Sequence, residues 1–175
     1  MCHVSNANAC IDQSTLPVSM LSAMIAFAVR GDAPNLDLST QASVKTALLK
    51  AKSVKYSPQG FARDTALKVL STLQIADKIK DSSTLRDEVA LGPGEYEIRM
   101  FPISEVIEAA DPKVKNMGPV LDSLQVQAVM QAVIGKNAND PKAARALIKV
   151  LQGPAIDSAF KHYGINKGVA DGMFK

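Results

Sequence analysis

Residues 52–70 read KSVKYSPQGFARDTALKVL and contain the patterns of a strand, a turn and a helix in direct succession. Its residues 53–56 have the composition of a short strand, and residues 57–60 form a turn that contains Pro and Gly. From Phe61 onward, apolar residues recur at helical spacing. A strand that passes directly into a helix, repeated elsewhere in the chain, predicts an α/β fold with a mixed, mostly parallel sheet flanked by helices.

Other segments supply the further strands and helices that this fold needs. The apolar segment MIAFAVR, residues 24–30, and the alternating segment EYEIRMF, residues 95–101, predict strands. Residues 126–134 are also interpreted as a strand because they are rich in β-branched side chains. Asp140 followed by Pro141 predicts a capped helix start. The predicted helices span residues 41–52, 61–73, 103–110, 141–152 and 154–160.

The composition restricts the function classes. The chain has 175 residues, which is enough to bury a core without disulfide or metal support. Its net charge of +3 does not by itself indicate nucleic acid. No aromatic residues are interleaved as stacking platforms with the clustered lysines at residues 45–55 and 78–80, so no nucleic-acid partner is predicted. Cys2 and Cys10 have neither a CxxC neighbour nor a nearby histidine pair at ligand spacing, so no metal is predicted.

An apolar run covers residues 16–29. It is too short to span a membrane as a helix, so no membrane span is predicted. Ala26-Phe27-Ala28 resembles a signal-peptide cleavage site, but no Lys or Arg precedes the run. A secretory signal therefore stays an alternative to the buried strand.

The common catalytic signatures are absent from the sequence, including the nucleophile elbow, the phosphate loop, the dinucleotide loop and the zinc-protease motif. His162 is predicted near the end of a helix, where an imidazolium ring suits the helix dipole without any catalysis. Glu95 and Glu97 share one face of their predicted strand, either as an acid–base pair or as two solvated carboxylates. No catalytic residue and no cofactor is predicted, and an enzyme is disfavoured.

The turn at residues 57–62 offers a different chemistry, that of the backbone. A helix N-terminus presents unsatisfied N–H donors and a partial positive charge, which together bind an anion without charged side chains. Ser57 adds a hydroxyl, Gly60 permits close approach, and no acidic residue occurs before Asp64. The alternative is an ordinary strand–helix turn whose donors are satisfied by water or by Ser57.

The order of four segments resembles the substrate-binding proteins of molybdate-type ABC importers. The resemblance runs from about residue 24 to residue 168. Its most specific parts are the block APNLDLST, which leads to SPQG, and the helix pair NDPKAARALIKVLQGPAI near the C-terminus. It implies a type II periplasmic-binding-protein fold, in which two α/β lobes hold a tetrahedral oxyanion between them with uncharged donors.

The resemblance also implies a set of ligand-binding residues and a set of lobes. The turn of the second lobe and the end of the following strand would supply the ligand contacts, namely Ser57, Gln59, Gly60, Phe61, Ala62, Pro102 and Ile103. Residues 1–23 would be an N-terminal tail or an altered first-lobe segment, so the first lobe would be incomplete. Residues 24–34 would be a hinge and first-lobe strand, 35–101 the second lobe, and 102–175 the return hinge with the C-terminal part of the first lobe.

Three hypotheses for function follow. The first is a solute-binding protein that recognises a small oxyanion such as molybdate for ABC-type import, with an ABC permease as partner. The second keeps the scaffold for self-association as a homo-oligomer or for binding a protein partner. The third is a small-molecule enzyme such as an isomerase, using Glu95, Glu97 or Asp64. The resemblance implies a periplasmic or extracellular location, and a cytoplasmic one stays an alternative because no convincing signal peptide is visible.

Overall fold

The structure is a computed structural model that describes residues 17–33, 35–79 and 89–167. The chain divides into two compact units. The central unit is Met24–Ala128, and the terminal unit combines Met1–Ala23 with Val129–Lys175. Cys2 and Cys10 lie outside the described residues.

The terminal unit contains a three-stranded sheet in the order β6-β1-β7. Its strands are β1 (Val18–Ala23), β6 (Ala128–Ala132) and β7 (Asn166–Lys167), and β1 pairs antiparallel with β7. The predicted strand near residue 130 is therefore confirmed as β6. β1 occupies part of the segment that the sequence interpretation called a tail or an altered first-lobe segment. Met24 separates β1 from the next strand, so the apolar run forms two strands in two different sheets.

The predicted helix pair of the terminal unit is confirmed. Helix α4 (Pro141–Gln152) begins at its predicted cap, where the Asp140 carboxylate accepts a hydrogen bond from the Ala143 N–H at 2.9 Å. It ends at Gly153, as its sequence predicts. A 3₁₀ turn follows over Pro154–Ile156 and leads into α5 (Asp157–His162).

The central unit contains a four-stranded sheet in the order β3-β4-β2-β5. These strands are β2 (Ile25–Gly31), β3 (Ser53–Tyr56), β4 (Tyr96–Pro102) and β5 (Val114–Pro119). Helices α1 (Gln41–Lys50), α2 (Gly60–Thr72) and α3 (Ile103–Ala109) belong to the same unit. The predicted helices at residues 41, 61 and 103 are thus confirmed, with ends that differ by a few residues.

One face of the central sheet forms the main core together with α1 and α2. Alternate residues of the strands point to this face, as the period of a strand requires, and Ile98 is level with both Val29 and Val54 on its neighbours. The buried Tyr96 hydroxyl donates to the Ala47 carbonyl of α1 at 2.9 Å. This bond satisfies the one polar atom that Tyr96 brings into the core.

The mixed α/β class with sheets flanked by helices is confirmed, but the balance of strand directions differs from the expectation. β3 and β4 are parallel and are joined through α2, whereas β2 pairs antiparallel with both β4 and β5. The reason lies in the connection that contains α1. Gly31 ends β2 opposite Tyr96, and Ser53 begins β3 opposite Glu97. The connection therefore returns the chain to the same end of the sheet, and β3 runs in the direction opposite to β2.

The second face of the central sheet holds a buried ion cluster around Glu97. Arg30 Nε and Arg99 Nε donate to Glu97 Oε1 at 3.2 and 2.7 Å, and Ser53 Oγ donates to Oε2 at 2.6 Å. Lys55 Nζ lies 3.5 Å from Oε2. Burial raises the pKa of Glu97, but the hydrogen bonds from Ser53 and the two arginines outweigh it and lower the pKa from 4.5 to about 2. The interpretation of Glu97 as a solvated carboxylate is wrong, because its side chain is fully buried.

Replacing the central carboxylate tests this cluster. Glu97→Gln keeps the size of the side chain but leaves the surrounding cations without their counter-charge, so we expect a loss of about 3–5 kcal/mol in the free energy of unfolding. Urea unfolding followed by circular dichroism measures it. Glu95→Gln is the matched control, because Glu95 pairs with Lys52 on a solvent-exposed edge and its loss should be much smaller. Equal losses in the two variants would contradict the dominant role of Glu97.

The same carboxylate predicts a pH dependence of stability. Because the pKa of Glu97 is lower in the folded state, its stabilising contribution is fully present above the ordinary value of 4.5 and is lost as the pH falls towards about 2. We expect the free energy of unfolding of the native chain to fall more steeply over this acid range than that of Glu97→Gln. Urea titrations at a series of pH values measure both slopes, and identical slopes would count against the lowered pKa.

Candidate ligand-binding site

The parallel pairing of β3 with β4 creates the edge at which the candidate site lies. Tyr56, the last residue of β3, is level with Met100, and β4 continues for two more residues to Pro102. Adjacent strands are about 4.8 Å apart. Each strand then passes into a helix, β3 through the turn at Ser57 into α2 and β4 directly into α3. The structure therefore places the two groups of predicted ligand residues at the same edge of the same sheet.

The start of α2 has the features of an anion-binding turn. Gln59 is the N-cap residue and has an extended backbone, but its side chain makes no capping hydrogen bond. The first turn contains no acidic residue. Within the described part of the chain, no hydrogen bond engages the backbone N–H groups of Gly60, Phe61 and Ala62. The positive end of the α2 dipole is thus left without a charged partner.

The side chains of this turn divide into exposed and buried ones. Gln59 and Gly60 are exposed, and Ser57 is half-buried. Phe61 packs partly against the main core and Ala62 is buried, so these two anchor the turn and can offer only their backbone N–H groups. The hydroxyl of Ser57 has no hydrogen-bond partner among the described residues.

Gly60 has a specific conformational role. Its φ is +72°, which is unfavourable for a residue with a Cβ atom, and no atom lies within 4 Å of the position that a Cβ would take. Gly60 therefore allows the chain to turn sharply at the first residue of α2.

The second group of predicted ligand residues contributes less hydrogen-bonding capacity. Pro102 has no backbone N–H, and it pairs in register with Ile25. The N–H of Ile103 donates to the Met24 carbonyl at 3.0 Å, and Ile103 itself is buried. These two residues can shape the edge beside the turn, but the free donors belong to the turn.

The alternative catalytic residues are not gathered into a site. Glu97 belongs to the buried ion cluster. Glu95 is paired with Lys52, and the hydrogen bonds from Lys52 and from the Gly92 N–H lower the pKa of Glu95. Asp64 and His162 are exposed. No group of three or more metal-ligating side chains occurs within the described ranges. In those ranges, too, no helix combines the length and apolar character that a bilayer span needs.

The sequence interpretation missed one feature that bears on ligand binding. Arg99 and Phe101 line a cavity on the second face of the sheet. The alternation of residues 95–101 shows that these two side chains share a face. It carries no signal for the helix that covers that face, so the cavity could not be predicted.

A sequence profile of bacterial extracellular solute-binding proteins matches residues 13–166. The chain belongs to this family. A comparison with curated protein sequences finds no match. The profile covers both compact units, so the sequence resemblance to solute-binding proteins is confirmed at the level of the family.

Solved structures of related solute-binding proteins support the fold. The substrate-binding domain of a candidate molybdenum ABC transporter from Clostridium difficile superposes with a TM-score of 0.67 at 16% identity, covering 95% of this chain and 72% of that one. Peb3 from Campylobacter jejuni gives 0.57 at 12% identity, with coverages of 93% and 72%. The periplasmic molybdate-binding protein of Azotobacter vinelandii gives 0.53 at 16% identity, with coverages of 91% and 71%. At such identities the likeness establishes the fold of this solute-binding protein and not its ligand.

The conformation of Gly60 predicts the effect of substitution on stability. Gly60→Ala forces a residue with a Cβ atom into a left-handed conformation, at a cost of about 1–2 kcal/mol in the free energy of unfolding. Gly94→Ala should cost the same, since Gly94 has φ +73° and equally open surroundings. Gly31→Ala should cost more, because its Cβ would lie 2.7 Å from the Glu95 carbonyl oxygen. Urea unfolding ranks the three variants. A Gly60→Ala variant with the same free energy of unfolding as the native chain would contradict the expected backbone strain.

Proposed function

We propose that this solute-binding protein binds a small tetrahedral oxyanion, with molybdate as the first candidate, at the turn that begins α2. The observation that carries the proposal is the set of N–H groups at Gly60, Phe61 and Ala62, with no acidic residue in that first turn and no side-chain cap. Two of the similar structures are named for molybdenum or molybdate. Ser57, Gln59, Pro102 and Ile103 complete the proposed lining.

The physical basis is recognition of a doubly charged anion by uncharged donors. Backbone N–H groups at a helix start carry partial positive charge and need no rearrangement when the anion arrives. The hydroxyl of Ser57 can donate one more charge-assisted hydrogen bond. Because none of these donors is acidic or basic, the site recognises the charge and shape of the ligand. Binding does not require a particular protonation state of these donors.

The biological setting follows from the family. The protein would act outside the cytoplasm, in the periplasm or at the cell surface, and would deliver its ligand to the permease of an ABC importer. The lobe boundaries at residues 23, 34 and 101 belong to this proposal, in which the site at Ser57–Ala62 lies in the second lobe.

Isothermal titration with molybdate, tungstate, sulfate and phosphate tests the proposal. We expect saturable binding of at least one of these anions. Gly60→Val should weaken it at least tenfold, because the new side chain stands at the helix start and the strained backbone reorients the N–H groups. Ser57→Ala should weaken it less, through the loss of one hydrogen bond.

Gly94→Val is the matched control for this experiment. Gly94 shares the φ and the open surroundings of Gly60 but lies outside the turn, so its variant should have similar stability and unchanged anion affinity. No detectable binding of any of the four anions by the native chain would refute the proposal. Equally weakened anion binding in both glycine variants would show that the site does not lie at Gly60.

Self-association stays a prediction. One observation bears on it: Leu147 and Val150 of α4 are 58% and 55% exposed, and they lie on one side of that helix. The oxyanion proposal does not depend on whether this side of α4 contacts a second copy.

A further inference from the structure

The cavity lined by Arg99 and Phe101 lies in the central unit, on the face of the sheet opposite the main core. Its volume is about 260 Å³, and it lies between α3 and the strands β4, β2 and β5. Ala28 and Phe101 supply part of its floor, and Val106 of α3 supplies part of its roof. None of the residues of the α2 turn lines it, so it is separate from the proposed oxyanion site.

Arg99 is the cationic group of this cavity and is held in a defined orientation. Its Nε donates to Glu97 Oε1 at 2.7 Å, and Glu97 is in turn fixed by Arg30 and Ser53. Within the described ranges, no hydrogen bond engages the two terminal NH₂ groups of Arg99. These groups can bind both oxygens of a carboxylate end-on, and the buried Glu97 keeps the guanidinium from changing its position.

Two carboxylates line the same cavity. Glu105 lies in α3, and Asp111 follows the end of that helix. One oxygen of Asp111 accepts the Lys113 N–H at 2.9 Å, which orients the carboxylate and leaves the other oxygen available. Ala109, at the C-terminal end of α3, also lines the cavity, and the carbonyl groups there add partial negative charge. A cationic group of a ligand is favoured on this side.

The cavity thus combines one oriented guanidinium, two carboxylates and apolar walls in a small volume. A purely anionic ligand would approach Glu105 and Asp111 with a like charge, and a purely cationic one would approach Arg99 in the same way. An apolar ligand would bury these groups without partners. A ligand with one positive and one negative charge and a short apolar part satisfies all of them.

We propose that this cavity binds the zwitterion of a small apolar amino acid. The carboxylate lies on the terminal NH₂ groups of Arg99, the ammonium group lies between Glu105 and Asp111, and the side chain packs against Phe101 and Val106. The volume is slightly below the range of about 300–1,000 Å³ that is typical of sites for drug-sized ligands, which agrees with a ligand of this size. The inference does not rest on the oxyanion proposal.

Isothermal titration with L-leucine and L-valine tests this assignment, with two fragments of leucine for comparison. 4-Methylpentanoate keeps the carboxylate and the apolar part but lacks the ammonium group, and 3-methylbutylamine lacks the carboxylate. We expect saturable binding of leucine or valine and at least tenfold weaker binding of each fragment. No binding of either amino acid at millimolar concentration would overturn the proposal, as would fragments that bind as tightly as leucine.

Substitutions locate the bound amino acid. Asp111→Asn should weaken leucine binding at least tenfold, and Ala109→Met should abolish it by filling the cavity, while both leave molybdate titrations unchanged. Asp122→Asn is the matched control, because Asp122 is exposed in the same unit and does not line the cavity. Thermal unfolding of each variant checks that it is folded. Leucine binding that survives both Asp111→Asn and Ala109→Met would overturn the assignment to this cavity.

Discussion

The buried carboxylate of Glu97 is the interaction on which the arrangement of the central sheet depends. It accepts hydrogen bonds from Arg30 on β2, Ser53 on β3 and Arg99 on its own strand. Three neighbouring strands are therefore held by one side chain. An ion pair of this kind contributes little net stability over an apolar substitute, but it tolerates only one register, because a shift of one residue would bury unpaired charges. The cluster thus specifies how the strands align.

That alignment separates two kinds of chemistry on one sheet. The charged groups are concentrated on the second face, where Glu97 orients Arg99 towards the cavity beneath α3. The first turn of α2, which follows the end of β3, contains no acidic residue and offers backbone N–H donors. The first chemistry suits a ligand with charges of both signs, and the second suits an oxyanion. Both depend on the same pairing of β3 with β4, because it places Ser53 beside Glu97 at one end and Tyr56 beside Met100 at the other.

Local patterns predicted the elements of this protein well where the signal is short-range. The cap at Asp140, the helix that begins at Gly60 and the alternation of β4 all depend on residues close in sequence. The gap between β1 and β2 was not visible, because a mostly apolar run is compatible with either one strand or two. Strand direction was not predictable for β2, since it depends on where the chain re-enters the sheet and not on the residues of the strand.

The family, the α/β class and the turn with an uncapped, acid-free helix start can be predicted from the sequence alone, because each of these is encoded by residue types at fixed local spacing. The burial of Glu97 depends on tertiary packing, since a strand pattern shows which residues share a face but not what covers that face. The tertiary structure likewise brought Arg99, Glu105 and Asp111 around one cavity. These residues lie on a strand, a helix and a loop, and their proximity results from the packing of α3 on the sheet, which leaves no mark in local sequence.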